Sequence, residues 1–417
     1  MTDSIALEMT VNGPRLLEQL QALAKIGATD DGSCCRLALT DADREGRDWV
    51  KQNMLALGMD VHVDGIGNMF GVRAGRDRTQ APVMTGSHID TVRTGGAYDG
   101  NLGVLAGLEV VASLNEAGLQ TTRDFVVAVF TNEEGARFAP DMMGSLVYAG
   151  GMALDEALST PAIDGAVLGD ELKRIGYAGD APMGLFKPHA FVELHIEQGP
   201  VLDIEAVRIG AVQNLQGISW QEVTIKGQSN HAGTTPMRMR RDAGFAASAI
   251  TTFVRDLTKD MGGDQVATVG QINLKPNLIN VIAAEATVTV DLRNTDEALL
   301  KQAEAQFAAF LDALRTDEGV EIQTRRLARF EPVLFDAALA KRIQANAGAL
   351  GLSCRAMTSG AGHDAQMLAR LCPSAMIFVP SVGGISHNPA EHTEPEDLIA
   401  GANVLLHTLW QLLNQDA

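Results

Sequence analysis

An α/β architecture interrupted by a second, inserted α/β unit is what the sequence predicts, on three observations. Short, wholly apolar runs alternate with segments of helical spacing up to about residue 212 and again from residue 337. Continuous apolar runs fit strands of a mixed sheet covered by helices on both faces. Between them the runs alternate apolar with polar residues, which fits a sheet with one open face. The chain is also 417 residues long, more than one core usually holds, so two domains are expected.

Taken in order, residues 14–28 and 41–57 carry apolar positions at helical spacing, with Thr40 and Asp41 at the start of the second as a cap. A strand at 82–86 leads into a glycine-rich loop, and 102–117 reads as a helix apolar on several faces. Segments 125–131 and 191–196 are continuous apolar strands. From about residue 213 the order becomes strand 218–225, helix 236–257 with Thr235 as cap and Pro236 in its first turn, and strands 266–274 and 286–292. Helix 296–314 and strand 320–327 follow. This β-α-β-β-α-β order is the ferredoxin-like arrangement. The expected domains are therefore 1–212 joined with 330–417, and 213–329 inserted between them. A helix at 337–350, a strand at 375–379 and a last helix at 395–413 complete the first unit.

A net charge of −19 repels phosphate, so neither nucleic acid nor an anionic membrane is an expected partner. An anionic small-molecule substrate would need a local positive site. The N-terminal residues show no basic run followed by an apolar core, and no apolar run approaches a membrane span. Cys34, Cys35, Cys354 and Cys372 lack metal-site spacing and fit a reducing cytoplasm, the expected location.

Chemistry-bearing residues cluster after the apolar strands. His88 and Asp90 follow the first, with Asp99 in the glycine-rich loop, and the adjacent Glu133 and Glu134 follow the second. Strand ends of open α/β sheets are where ligands bind. Asp90 is placed to accept the second imidazole N–H of His88, fixing its tautomer. Adjacent carboxylates repel unless a cation compensates them, so one of Glu133 and Glu134 is expected to bind metal while the other handles a proton. His195 shares a strand face with Glu193 and Glu197, and His387 follows the strand at 375–379. His88, Asp99, Glu134, His195 and His387 make five candidate ligands. With Asp99 bridging, they suit two divalent ions about 3.5–4 Å apart. Arg293 ends an alternating strand, and its guanidinium fork suits a substrate carboxylate.

Together, Gly86-Ser87-His88-Ile89-Asp90, Gly95-Gly96-Ala97-Tyr98-Asp99, Thr131-Asn132-Glu133-Glu134, His195-Ile196-Glu197-Gln198-Gly199, Asn230-His231-Ala232-Gly233 and Ser359-Gly360-Ala361-Gly362-His363-Asp364 resemble the hydantoinase/carbamoylase family of amidases. That group includes N-carbamoyl-L-amino acid hydrolases, bacterial-type β-ureidopropionases and allantoate amidohydrolases, within the two-metal aminoacylases and carboxypeptidases. The likeness runs from about residue 14 to 413. It implies a two-metal hydrolase domain with an inserted lid and dimerisation domain. His88, Asp99 and His195 would hold one metal and Asp99, Glu134 and His387 the other, with zinc first and manganese, cobalt or nickel possible. Glu133 becomes the general base. Gln198, His231, Asn280, Arg293 and Gly362 become substrate-site positions, with Asn280 and Arg293 on the substrate carboxylate. His231 is also expected to stabilise an oxyanion, reaching a neighbour's site in a homodimer. His363 is expected to be structural, and His62, His189, His392 and His407 receive no role. Asp203 stands where many relatives carry Glu. The implied reaction removes the carbamoyl group of an N-carbamoyl-L-amino acid. N-carbamoyl-β-alanine and allantoate remain open as substrates, and a scaffold that binds metal without catalysis is the reading of another class.

Overall fold

The structure, a computed structural model, describes residues 9–415. The chain divides into two compact units, Met1–Gln213 with Leu334–Ala417, and Asn214–Val333.

The larger unit begins with helices α1 (Gly13–Ala24) and α2 (Asp41–Ala56), the second capped by the Thr40 side chain, which accepts from Asp43 N. Strands β1 (Asp60–Val63), β2 (Met69–Arg73) and β3 (Val83–His88) follow, then helix α3 (Asn101–Glu116) and β4 (Phe125–Phe130). Short helices α4 (Met143–Tyr148), α5 (Leu154–Leu158) and α6 (Leu168–Ile175) precede β5 (Ala190–Ile196), α7 (Val201–Glu205) and β6 (Ile209–Leu215). Strands β3, β4, β5 and a later strand, β13 (Ser374–Val379), run parallel, while β2 and β6 join antiparallel, so the sheet is mixed.

Alternation along β5 shows how the sheet is covered. Val192 and Leu194 face a layer containing α3, whose Gly103 lies against the Leu194 carbonyl. Glu193 points to the opposite face, where it accepts a hydrogen bond from Ala365 N at 2.8 Å. The burial of every residue of β3, β4 and β5 follows from having helices on both sides.

The smaller unit runs β7 (Gly217–Lys226), α8 (Ala243–Met261), β8 (Val266–Lys275), β9 (Glu285–Asn294), α9 (Glu297–Glu318) and β10 (Glu321–Phe330). Its sheet is antiparallel throughout, in the order β10-β7-β9-β8. Val223, Ile225, Val288, Val290 and Leu292 pack with Ile250, Phe307 and Leu311 of the two helices into a core of its own. Trp220, Thr289, Asp291 and Arg293 lie on the other sheet face by the period of two.

Helix α8 starts later than its apolar spacing suggests. Pro236 is extended (φ −60°, ψ 146°), a single 3₁₀ turn spans Met237–Met239, and Asp242 supplies the cap by accepting from Gly244 N and Phe245 N. Arg240 holds the preceding segment away from helical geometry through the carbonyls of Ala232 and Thr235. Strands β1, β2 and β6 were not legible as strands; β1 is short and half exposed.

The chain returns through β11 (Val333–Leu334), α10 (Ala337–Ala349), β12 (Cys354–Ser359), α11 (Asp364–Leu368), β13 (Ser374–Val379) and α12 (Pro395–Leu413). Phe335 N donates to Gln213 O at 3.0 Å, so the two crossings of the insertion leave the larger unit side by side.

Candidate metal centre

The parallel strands deliver their chemistry to one edge of the large sheet. His88 is the last residue of β3, Glu133 and Glu134 follow β4, His195 lies one residue before the end of β5, and His387 follows β13.

Both buried imidazoles are fixed through one nitrogen. His88 Nδ1 lies 2.9 Å from the Asp90 carbonyl and His195 Nδ1 lies 2.8 Å from the Ile196 carbonyl. A carbonyl only accepts, so each Nδ1 carries the proton and each Nε2 presents a lone pair. These lone pairs face Asp99 Oδ1, at 3.6 Å from His88 and 3.2 Å from His195. Gly100 N also donates to His195 Nε2, at 3.1 Å. The other oxygen of Asp99, Oδ2, lies 3.3 Å from His387 Nε2, and that nitrogen is 3.3 Å from Glu134 Oε2. Asp99 therefore stands between two donor groups, His88 with His195 and Glu134 with His387, each set with ligand atoms within 4.8 Å of one another.

Glu133 belongs to neither group. Its Oε2 lies 3.3 Å from His88 Nε2, at the rim of the first set. Asp90 differs from its expected contact. Its carboxylate stays 3.9 Å from His88 Nδ1 and instead accepts from the backbone N–H groups of Glu133 (3.2 Å) and Glu134 (3.3 Å). The carbonyl of the same residue accepts the hydrogen bond from the imidazole N–H, which frees the carboxylate to fix the two glutamates.

Electrostatics show what the donors lack. Burial, then the neighbouring carboxylates, push Glu133 well above the usual range against the pull of His88, and push Glu134 up to about 8. Burial acts against ionised Asp99 too, but His195, His387 and His88, when protonated, hydrogen-bond to it and outweigh burial, which holds its pKa well below the usual value. Carboxylates so crowded in a buried place stay ionised only beside positive charge. Two cations would supply it, and imidazole and carboxylate are donors that divalent transition metals accept, so the residues fit the metals implied for them. A third group, Glu193 with His195 and His363, fits less well. Ser87 Oγ and Ala365 N already bind the oxygens of Glu193, and His363 Nε2 lies 3.1 Å from Ser359 Oγ.

Gln198 adopts a left-handed backbone (φ 57°) and donates from Nε2 to Asp99 Oδ2 at 2.8 Å, so it touches the centre itself. Gly362 precedes α11, and a Cβ there would lie 2.8 Å from the Met142 methyl. The smaller unit carries His231, Asn280 and Arg293 and does not bring all three together. The His231 segment bridges Val281, and Ala232 N donates to Asn280 O. Gly233 N and Thr234 N donate to His231 Nδ1, leaving Nε2 as the protonated nitrogen in the neutral ring. Arg293 lies at the opposite end of β9, eight residues beyond its first residue, Glu285, which amounts to about 27 Å. Asn280 therefore cannot share a small carboxylate with Arg293 of the same chain.

Two further residues shape the centre and carry no obvious sequence signal. Buried Glu391 accepts from Tyr98 N (3.1 Å) and Asp99 N (3.3 Å) through Oε1, and from Ser386 Oγ (3.0 Å) through Oε2. It ties the loop of Asp99 to the loop of His387. An acid four residues beyond His387 was the available hint. Arg36, fully buried, donates to the Ile89 carbonyl and to Asn101 Oδ1, across chain separations that no local pattern reveals. Asp203, the departure noted above, accepts from Gly383 N at 2.8 Å and so anchors the glycine turn ahead of His387.

A profile of the Peptidase family M20/M25/M40 matches residues 84–411. An amidase of the hydantoinase/carbamoylase family from Burkholderia multivorans superposes with a TM-score of 0.92 at 46% identity, over 98% of this chain and 100% of that one. The protein belongs to the hydantoinase/carbamoylase amidases. An N-carbamoyl-L-amino-acid amidohydrolase from Rhizobium meliloti is 43% identical over 96% of both chains. The allantoate amidohydrolase of Escherichia coli is 36% identical over 95% of this chain and 97% of its own. As a member of this family the protein is a metal-binding hydrolase of carbon–nitrogen bonds in linear amides.

Proposed function

We propose that this amidase hydrolyses an N-carbamoyl-L-amino acid to the amino acid, carbon dioxide and ammonia. The observation that carries the reading is Asp99, one carboxylate with each oxygen turned to a different donor group and Glu133 beside the first. His88, Asp99 and His195 would hold one divalent ion and Asp99, Glu134 and His387 a second, zinc first, with manganese, cobalt or nickel acceptable to the same donors. When bound, the ions supply Lewis-acid polarisation and make water acidic enough to react near neutral pH.

Glu133 takes the proton of the attacking water and returns it to the leaving nitrogen of the amino acid. The carbamate released decomposes to carbon dioxide and ammonia. His231 donates its Nε2 proton to the oxyanion of the tetrahedral intermediate. Arg293 pairs with the substrate carboxylate, which answers the question the acidic composition raised.

We assign this work to a homodimer in the cytoplasm, with the 214–333 unit as lid and dimerisation domain. Two features support it. β8 is an edge strand with Val266 and Ile272 about half exposed. And about 27 Å along β9 separates Arg293 from the His231 end, too far for one small substrate to touch both in one chain. His231 and Asn280 would then come from the neighbouring copy.

A substrate panel tests the proposal: metal-reconstituted protein with N-carbamoyl-L-α-amino acids, N-carbamoyl-β-alanine and allantoate, read as ammonia release. The α-amino acid derivatives should have the highest kcat/KM. Preference for allantoate would move the protein to the other branch, and no release from any of them would leave a metal-binding scaffold.

A further inference from the structure

We infer that Asp291 is a positioning residue that aims Arg293 and so sets the preference for substrates with a free carboxylate. The inference rests on the proposed reaction, in which Arg293 meets that carboxylate. Asp291 and Arg293 stand two residues apart on β9 and share the face away from the α8–α9 core. The Asp291 carboxylate grips the guanidinium side-on, with Nε at 3.1 and 3.0 Å from its two oxygens and Nη2 at 2.9 Å from Oδ2. Below lies the indole of Trp220, 6.0 Å from the guanidinium carbon and directly across the β7–β9 ladder from Asp291. One edge of a planar group is thus fixed by an anion and its face by an aromatic ring.

The geometry matters because an arginine side chain has several rotatable bonds, and a planar fork binds a carboxylate well only when its plane is set beforehand. A guanidinium carries five N–H groups, of which the side-on carboxylate engages those of the Nε–Nη2 edge. Two effects of Asp291 oppose one another. Its negative charge weakens the attraction of Arg293 for an anion, and its grip removes the entropy cost of orienting it. Both side chains are about a quarter exposed, at 21% and 26%, so water screens the charge effect only in part, and the Asp291 variants below separate it from the effect of orientation.

The test compares wild type, Asp291→Ala, Asp291→Asn, Arg293→Ala and the Asp291→Ala/Arg293→Ala double variant. Each is assayed on an N-carbamoyl-L-amino acid and its amino amide, with thermal melting as a control for folding. Asp291→Ala should raise KM for the acid by about tenfold with a smaller change in kcat, and leave the amide nearly unaffected. Asp291→Asn keeps one acceptor for Nε and should recover most of the loss. In the Arg293→Ala background, Asp291→Ala should add nothing. Equal losses on acid and amide would make Asp291 a sheet-stabilising residue only, and a lower KM for the acid in both Asp291 variants would show that its charge dominates. Either result overturns the inference. If wild type itself did not distinguish acid from amide, or hydrolysed neither, the proposed reaction would fall first, and that arm alone reports it.

Discussion

Glu133 and Glu134 are neighbours in the chain with different surroundings, and the surroundings divide their work. Glu134 faces His387 at the second donor group, while Glu133 stands at the rim of the first. Glu133→Gln should lower turnover by roughly 10²–10⁴ and leave metal content per chain unchanged. Glu134→Gln should lose metal instead; reversed phenotypes would refute the division. Glu391 acts at one remove, through the backbone of Asp99 and the hydroxyl of Ser386. Truncation to alanine should weaken metal affinity about 10–100-fold in a chelator competition, the scale typical of groups that orient ligands. An unchanged competition curve would make Glu391 a loop staple and no more. The five candidate ligands were legible because they sit in short motifs after apolar strands. Glu391 was not, since Tyr98 and Asp99, whose N–H groups it binds, lie about 290 residues away.

At the scale of elements, the turn entering α3 constrains the centre closely. Gly100 has φ 65°, and a Cβ there would lie 2.5 Å from ring atoms of His88. Gly100→Ala must therefore either displace the imidazole or unwind the start of α3. Metal content should fall below that of wild type, and the melting temperature should drop by an amount corresponding to about 1–3 kcal/mol. Full metal occupancy with an unchanged melt would show that the turn tolerates a side chain. Mainly apolar runs betrayed β3, β4, β5 and β13 because burial on both faces admits polar residues only where they are hydrogen-bonded or serve the site, as Glu193 and His195 do. Helix α8 starts later than its spacing predicts, because the Arg240 side chain binds the carbonyls of Thr235 and Ala232, five and eight residues back, and overrides that spacing. The separation of Asn280 from Arg293 could not be read at all, because motif order says nothing about which end of a strand a residue occupies.

For the whole molecule, metal loading and the proposed dimer are the levers. Chelation of active protein should abolish turnover, and dialysis against a divalent transition metal should restore it with two ions per chain. Active protein found free of metal by elemental analysis would contradict the assignment. If His231 serves the neighbouring copy, mixing inactive His231→Ala with inactive Glu133→Gln chains should recover part of the activity as heterodimers form. No recovery after verified subunit exchange would return His231 to its own chain.

The side-by-side crossings at Gln213 and Phe335 have a genetic corollary. Two cut points that are already hydrogen-bonded neighbours can be sealed by a short turn, so residues 214–333 can be removed without stretching what remains. Ile218 and Phe330, opposite each other on β7 and β10, give the removed piece equally adjacent ends. Such a sealed version of the larger unit should still collect its two ions and hydrolyse no ureido acid, because His231 and Arg293 leave with the removed piece. A reading frame that lost this cassette would keep its capacity for metal and give up turnover, so metal capture and substrate handling are encoded as separable pieces of one chain.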